Sequence, residues 1–209
     1  MKNKVVFVLL AGGKSARMGV AKGLLPYNNS FWILEQINRI AKSTLSDVYI
    51  GLGFHHERYF EAIPWLTAAQ HDFVTYRGIR VRVVLNKNPE TGSFSTCQTV
   101  LKEIPLQSTI LLNPIDIPIL NPVDLQRIIN TKNDIVQPNF EGKNGHPIQL
   151  SSFFWNNLVL QNPLNTRLDL EIKKLDPSQI TTIAVADSLI TQNINTSADW
   201  ISFLAFDEK

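Results

Sequence analysis

Two groups of residues put charge and hydrogen-bonding capacity where chemistry could use it. The first is Gly12-Gly13-Lys14-Ser15-Ala16-Arg17-Met18-Gly19, followed by Lys22. Adjacent glycines let backbone N–H groups turn toward a ligand and approach it with no Cβ in the way. Lys14, Arg17 and Lys22 add positive charge suited to phosphate oxygens, and a guanidinium can donate two parallel bonds. The second group is Asn113-Pro114-Ile115-Asp116-Ile117-Pro118, a carboxylate between two prolines that leave its backbone little freedom. A hard cation such as Mg²⁺ suits that acid, because it takes one or two protein carboxylates and keeps substrate phosphates as its other ligands. A phosphate-binding turn and a metal-binding acid are together the equipment of phosphate chemistry.

Two familiar loops can be set against the first group. The P-loop needs a glycine five positions before Gly13, and Val8 stands there. The dinucleotide fingerprint needs its second glycine where Lys14 stands. What remains is L-A-G-G-K-S-A-R-M-G-x-x-K, from Leu10 to Lys22. It resembles the signature of the molybdenum-cofactor guanylyl- and cytidylyltransferases, the MobA/MocA-like nucleotidyltransferases. Asp116-Ile117-Pro118 is similar to the D-x-P motif that this family carries after a buried strand. The resemblance implies a Rossmann-like three-layer α/β sandwich of the nucleotide-diphospho-sugar transferase type, with residues 1–209 as one nucleotidyltransferase domain. It implies a triphosphate bound along Leu10, Ala11, Gly12, Gly13, Ser15, Arg17 and Lys22. Arg17, Lys22 and Asp116 would serve the reaction, with Mg²⁺ on Asp116.

Three later segments extend the resemblance. Gln192-Asn193-Ile194-Asn195-Thr196-Ser197-Ala198-Asp199 resembles N-I-N-T-P-E-D, in which a side-chain oxygen helps to hold the metal, and Asn195 stands at that position. An amide oxygen is a legitimate but weaker Mg²⁺ ligand than a carboxylate. Ser197 and Ala198 replace the usual proline and acid. The loop from Asn88 to Thr96 resembles the glycine-serine loop of the cytidylyl branch, which assigns Gly92, Ser93 and Ser95 to the substrate. Asn144-Gly145-His146-Pro147 resembles a G-H-P segment of that branch, so His146 joins the set as a phosphate contact or proton shuttle. The implied reaction is attack of an acceptor phosphate on the α-phosphorus of a triphosphate, CTP favoured over GTP, with pyrophosphate leaving. Molybdopterin is the expected acceptor and a molybdoenzyme a possible partner. Sugar and alditol phosphates stay open as acceptors. So does a nucleotide-binding protein that no longer turns over, a chaperone or regulator, given Ser197 and Ala198.

Other features bound the function. A formal charge of +2 on 209 residues provides no global field for nucleic acid or a membrane surface. Arg77, Arg80 and Arg82 form the nearest approach to a basic cluster, and Val81 and Val83 interleave the last two as on a strand with one solvated face. Cys97 is the lone cysteine, which excludes an internal disulfide, and its expected place is the packed face of a helix. His55-His56-Glu57 invites a metal reading, but adjacent side chains diverge and no third ligand is suitably spaced. The first apolar run is short and enters a cationic glycine loop rather than a cleavage site, and no stretch has the length of a membrane span, so a cytoplasmic protein is expected.

The elements that must position these groups alternate along the chain. Val5–Leu10 is apolar at every position, as in a strand buried on both faces. Ser30 is placed to cap a helix over residues 31–40, and Asp47–Gly53 and Ile79–Leu85 read as strands around a helical segment, His55–Ala69. A helix over Thr96–Ile104 precedes a buried strand at Ser108–Leu112, and Asn121-Pro122 starts another helix. A hairpin turns at Glu141–Gly145. Helices near Phe153–Leu160 and Arg167–Leu175, a strand at Ile180–Ala186 and a helix capped by Thr196 or Ser197 complete the order. That order predicts a mainly parallel sheet with a late antiparallel excursion. Ligands of such sheets bind beyond the carboxyl ends of the strands, where the glycine turn would lie.

Overall fold

Strand β1 (Val5–Leu10) sends alternate side chains to opposite faces of a sheet. Phe7 and Leu9 enter one apolar layer, Val6 and Val8 the other, which is why the run tolerates no polar position. The computed structural model describes residues 4–207. Strands β2 (Pro26–Tyr27) and β3 (Ser30–Phe31) form a small hairpin, followed by helix α1 (Trp32–Ala41) and strand β4 (Asp47–Leu52). Helices α2 (His56–Ala62) and α3 (Trp65–Ala68) lead to β5 (Val74–Tyr76), β6 (Ile79–Leu85) and α4 (Ser95–Leu101). Next come β7 (Thr109–Pro114), α5 (Pro122–Asn130), β8 (Ile135–Phe140), β9 (Lys143–Asn144) and β10 (Ile148–Leu150). Helices α6 (Ser152–Val159) and α7 (Leu168–Ile172), strand β11 (Ile180–Ala184) and helix α8 (Ser197–Asp207) follow.

The main sheet runs β11-β8-β10-β7-β1-β4-β6-β5, with β9 on β8. β4 and β7 flank β1 in parallel, β6 continues in parallel on β4, and β11 is parallel to β8. β10 runs antiparallel between β7 and β8, the late excursion that the element order predicts. Side chains of α1, α5 and α8 share one apolar layer with Phe7, Ile50 and Leu111. Those of α4, α6 and α7 share the other with Val8, Ile110 and Leu150. The result is an α/β three-layer sandwich. Among the described residues no helix is long and apolar enough to cross a membrane.

Two local expectations change. Ser30 does not cap α1; it lies in β3, and the Trp32 N–H donates instead to the Leu25 carbonyl at 2.9 Å. Strand β5 is unannounced because its hairpin to β6 turns on Arg77 and Gly78, both with positive φ (51° and 82°). Such turns favour Asn-Gly, and an arginine in the first position hides the signal.

Register does the work of positioning. Leu10 pairs with Pro114, so the glycine turn and the Asp116 turn leave adjacent strands side by side. The Ile115 N–H donates to the Leu10 carbonyl at 2.8 Å, and the Ala11 N–H to the Gly51 carbonyl at 2.8 Å. Because β10 pairs antiparallel with β7, Ile148 opposite Leu112, the residues before it arrive at that same edge. His146 is among them.

Candidate active site

The glycine turn leaves β1 where the chain crosses to β4 on one side and β7 on the other, a topological switch point. The Met18 and Gly19 N–H groups both close onto the Ser15 carbonyl, at 3.0 and 3.2 Å. Ahead of them, the N–H groups of Gly12, Gly13, Lys14, Ser15, Ala16 and Arg17 donate to no protein acceptor among the described residues. Gly13, Lys14, Ala16 and Arg17 are exposed, so these donors are open to solvent, and a run of free N–H groups on the wall of a cleft suits an anion with several oxygens. Glycine leaves room for α4 at position 12: a Cβ there would lie 2.6 Å from Thr96 Oγ1 near the start of that helix. Lys14 and Arg17 are exposed and enter no ion pair among the described residues. The Lys14 ammonium sits 5.9 Å from the centre of the Phe54 ring.

The acid faces the turn. Lys22 Nζ is 2.8 Å from Asp116 Oδ2 and 2.8 Å from Asn195 Oδ1, joining residues 94 and 173 positions apart. The Asp116 turn is braced from beneath: buried Asn113 donates to the carbonyls of Pro114 and Ile117 (2.7 and 2.8 Å), and the Trp32 indole to that of Ile115 (2.8 Å). The Ile194 N–H donates to the Asp116 carbonyl at 2.8 Å, which ties the Asn195 loop to the acid. Asn195 is then fixed by the start of α8. Asp199 accepts from the N–H groups of Asn195 (2.9 Å) and Thr196 (2.8 Å), while Thr196 Oγ1 accepts from the Asp199 N–H at 3.2 Å. This is a reciprocal capping box, with Thr196 rather than Ser197 as the cap. The same bonds, first that from the Asn195 N–H, hold the Asp199 carboxyl below the usual carboxylate range.

The turn from Gly12 to Arg17, Lys22, Asp116 and Asn195 line one cleft of about 600 Å³, together with Leu10, Ala11, Gly92 and Ser93. A second cavity of about 630 Å³ adjoins it through Ser93 and contains His146, Phe94, Leu168, Arg167 and Lys173. Ser95 stands apart from both. It is buried, its hydroxyl donates to the Gly92 carbonyl at 2.7 Å, and it accepts from Asn86 at 2.8 Å, so it shapes the loop. Glu90 and Thr96, both from the loop that resembles the glycine-serine segment, line the first cleft as well, and Phe54, which belongs to no motif, reaches it just beyond the end of β4. Asp199 was detectable, three residues after Thr196, by the spacing of a capping box.

Burial sets the ionisation of the remaining groups. It pushes His146 down to about 4, partly opposed by the nearby Asp116 charge, so the imidazole is neutral at pH 7. Burial likewise pushes the Cys97 thiol up to about 12, consistent with its place in the apolar layer under α4. His55 and His56 turn to main-chain carbonyls, those of Lys14 (3.1 Å) and Gly53 (3.0 Å), and so brace the glycine turn and the end of β4. Asp116 and Asn195 supply two hard oxygens that already share one cation, the Lys22 ammonium, and this donor set fits a divalent ion completed by phosphates. The arrangement can bind a polyphosphate, neutralise it and hold a second substrate beside it.

A family model, the MobA-like NTP transferase domain, matches residues 7–167. Among solved structures, Rv0371c from Mycobacterium tuberculosis H37Rv superposes with a TM-score of 0.76 at 20% identity, covering 98% of this chain and 99% of that one. A complex of that protein with manganese matches at TM-score 0.72 and 19% identity, over 97% and 99% of the two chains. The 4-diphosphocytidyl-2C-methyl-D-erythritol synthase of Anaerococcus prevotii matches at 0.73 and 12%, over 99% and 97%. Molybdopterin-guanine dinucleotide biosynthesis protein A from Archaeoglobus fulgidus matches at 0.64 and 13%, over 97% and 98%. At these identities the likeness is one of fold. No curated protein matches the chain.

Proposed function

Since the chain belongs to the MobA-like NTP transferase domain family and is a nucleotidyltransferase, we propose that it moves a nucleoside monophosphate from CTP, in preference to GTP, onto the phosphate of molybdopterin and releases pyrophosphate. The observation that carries the reading is the convergence of Lys22, Asp116 and Asn195 opposite the row of unpaired N–H groups from Gly12 to Arg17. Residues 1–209 act as one nucleotidyltransferase domain, and a molybdoenzyme that takes up the product is the expected partner.

In this reading the N–H groups of Gly12 and Gly13, with Arg17 and Lys22, take the triphosphate, and Leu10, Ala11 and Ser15 wall it in. Asp116 and Asn195 would hold Mg²⁺, which when bound supplies charge neutralisation at the α-phosphate. The manganese complex of Rv0371c and the oxygen-only donor set support a divalent ion there. Gly92 and Ser93 separate the nucleotide from the cavity of His146, where the acceptor sits. Ser95 keeps that loop in shape. His146, being neutral, serves the acceptor as a hydrogen-bonding partner rather than as a fixed cation. The attacking group is the acceptor's own phosphate, so no side-chain nucleophile is required. The Gly92 loop and the Gly145-His146-Pro147 segment support CTP, as does the diphosphocytidyl product named for the Anaerococcus protein. The Archaeoglobus protein supports a molybdopterin acceptor.

Pyrophosphate release, measured with Mg²⁺ and each of CTP, GTP, ATP and UTP, with and without molybdopterin, tests the proposal. Release with CTP that depends on molybdopterin is expected. Release only with a sugar or alditol phosphate would replace the acceptor, and triphosphate binding with no release under any condition would reject turnover.

A further inference from the structure

Lys22 stands where the proposed function needs a metal. Its ammonium touches the same two oxygens, Asp116 Oδ2 and Asn195 Oδ1, each at 2.8 Å. Its side chain is 13% exposed, and that of Asp116 22%. An ammonium carries three donors and no acceptor, so it satisfies both oxygens as a cation would, with a single charge. The backbone at this point is anchored. The Lys22 N–H approaches Ser15 Oγ at 3.4 Å, and the next N–H, that of Gly23, donates to the hydroxyl of fully buried Tyr59 at 3.1 Å. The flexible part is the four-carbon stem, which can swing the charge while its Cα stays fixed. Across the cleft lies the row of N–H groups offered to phosphate.

We infer that Lys22 is a resident counter-ion: it holds Asp116 and Asn195 together while no metal is present, and the phosphates of the nucleotide draw it off. A divalent ion arriving alone must break two bonds of Lys22 and leave its charge unpaired in a half-closed cleft. The same ion arriving with a triphosphate gives Lys22 a new anionic partner, so the displacement is compensated. Metal and nucleotide therefore bind cooperatively, each raising the affinity for the other by the same factor. The inference rests on the assignment of Asp116 and Asn195 to the metal, and its test keeps the two apart.

The test is a titration of the full chain with Mn²⁺, followed by the electron paramagnetic resonance signal of the free ion, with and without a non-hydrolysable CTP analogue. Lys22→Met and Lys22→Gln are compared with the wild type; the glutamine amide can still donate to Asp116, which protects the fold if the methionine variant is unstable. A charge-assisted bond is lost in each, so both variants should bind Mn²⁺ alone on the order of tenfold more tightly than the wild type, or better. The analogue should raise Mn²⁺ affinity in the wild type and much less in the variants. Adding Asp116→Asn to Lys22→Gln should abolish the gain. Folded Lys22 variants that bind Mn²⁺ no better than the wild type, while the wild type binds it with the analogue, would overturn the counter-ion role and leave the metal site standing. Absence of Mn²⁺ binding in every protein, with and without the analogue, would overturn the metal assignment itself.

Discussion

Gly12 is where the glycine turn meets helix α4, and Gly12→Ala should expose how tightly the two are coupled. The new methyl would lie 2.6 Å from Thr96 Oγ1, 2.7 Å from Thr96 Cγ2 and 3.1 Å from Thr96 Cβ. Thr96 has little room to yield, because it is 8% exposed and its hydroxyl accepts from buried Asn86 at 3.1 Å. Overpacking of this kind costs about 1–3 kcal/mol. Thr96→Ala alone removes both clashing atoms and one acceptor of Asn86, which keeps Ser95 Oγ at 2.8 Å, at a cost of about 0.5–1.5 kcal/mol. In the double variant only the contact at 3.1 Å remains, so most of the overpacking penalty disappears. The expected cycle is strongly non-additive, with a favourable coupling of about 1–2 kcal/mol. Urea unfolding of the four proteins measures it, and thermal shifts with CTP and Mg²⁺ follow binding in parallel. Gly12→Ala should lose stability and triphosphate binding together, and Thr96→Ala should restore the first in large part. Costs that add within about 0.3–0.5 kcal/mol would refute the reasoning, since the turn would then not be held against α4.

Asp116→Asn keeps an oxygen for Lys22 and removes the charge, so pyrophosphate release should fall by about 10²–10³ with a nearly unchanged melting temperature; near-wild-type release would take Asp116 out of the site. Acid stability should report His146. Its folded form resists protonation down to about 4, against an ordinary value of 6.5, so the unfolded chain binds the extra proton between those limits and stability falls as pH drops through them, by up to roughly 1.4 kcal/mol per pH unit. His146→Asn should flatten that part of the urea-midpoint profile, and an undiminished slope in the variant would assign the loss elsewhere. Asp47 acts at a lower pH. Burial raises its carboxyl, but hydrogen bonds from Lys4 and Arg80 outweigh that and hold it low, so its contribution is lost only below the usual carboxylate range.

Some of this site was legible residue by residue, and some could not be. An apolar run of six residues ending in Gly12-Gly13 reads as a doubly buried strand feeding a turn, because a half-exposed strand would show polar positions at every second residue and a buried helix would be longer. The adjacency of Asp116 follows only once β7 is known to lie beside β1 with Leu10 opposite Pro114, a register that no local pattern specifies. Lys22 was legible as a cation and illegible as the partner of Asp116. From sequence Gly145 reads as part of a turn, whereas the reason for it is the Ile190 carbonyl, on which any Cβ would collide. That carbonyl comes from a segment forty-five residues later, so only the fold reveals the constraint.

The altered C-terminal segment shows how counting matches can mislead. Ser197 and Ala198 depart from the family pattern, and the departure keeps an inert nucleotide-binding protein in view. In the structure both residues are exposed on the first turn of α8, and neither holds Asn195. The bonds that do so come from Thr196 and Asp199, both of which match the pattern, and from the Ile194 N–H to the Asp116 carbonyl. Ser197 contributes a long contact from its hydroxyl to Met18 Sδ, at 3.8 Å. A motif comparison weighs all positions alike, but the geometry of Asn195 depends on the cap, the third helical residue and the Ile194 bond to the Asp116 carbonyl, and not on Ser197 or Ala198. The substitutions therefore fall where the segment can absorb them, and they offer no physical reason for lost turnover. A change at Asp199 would release the Asn195 and Thr196 N–H groups together and slacken the loop that faces Asp116.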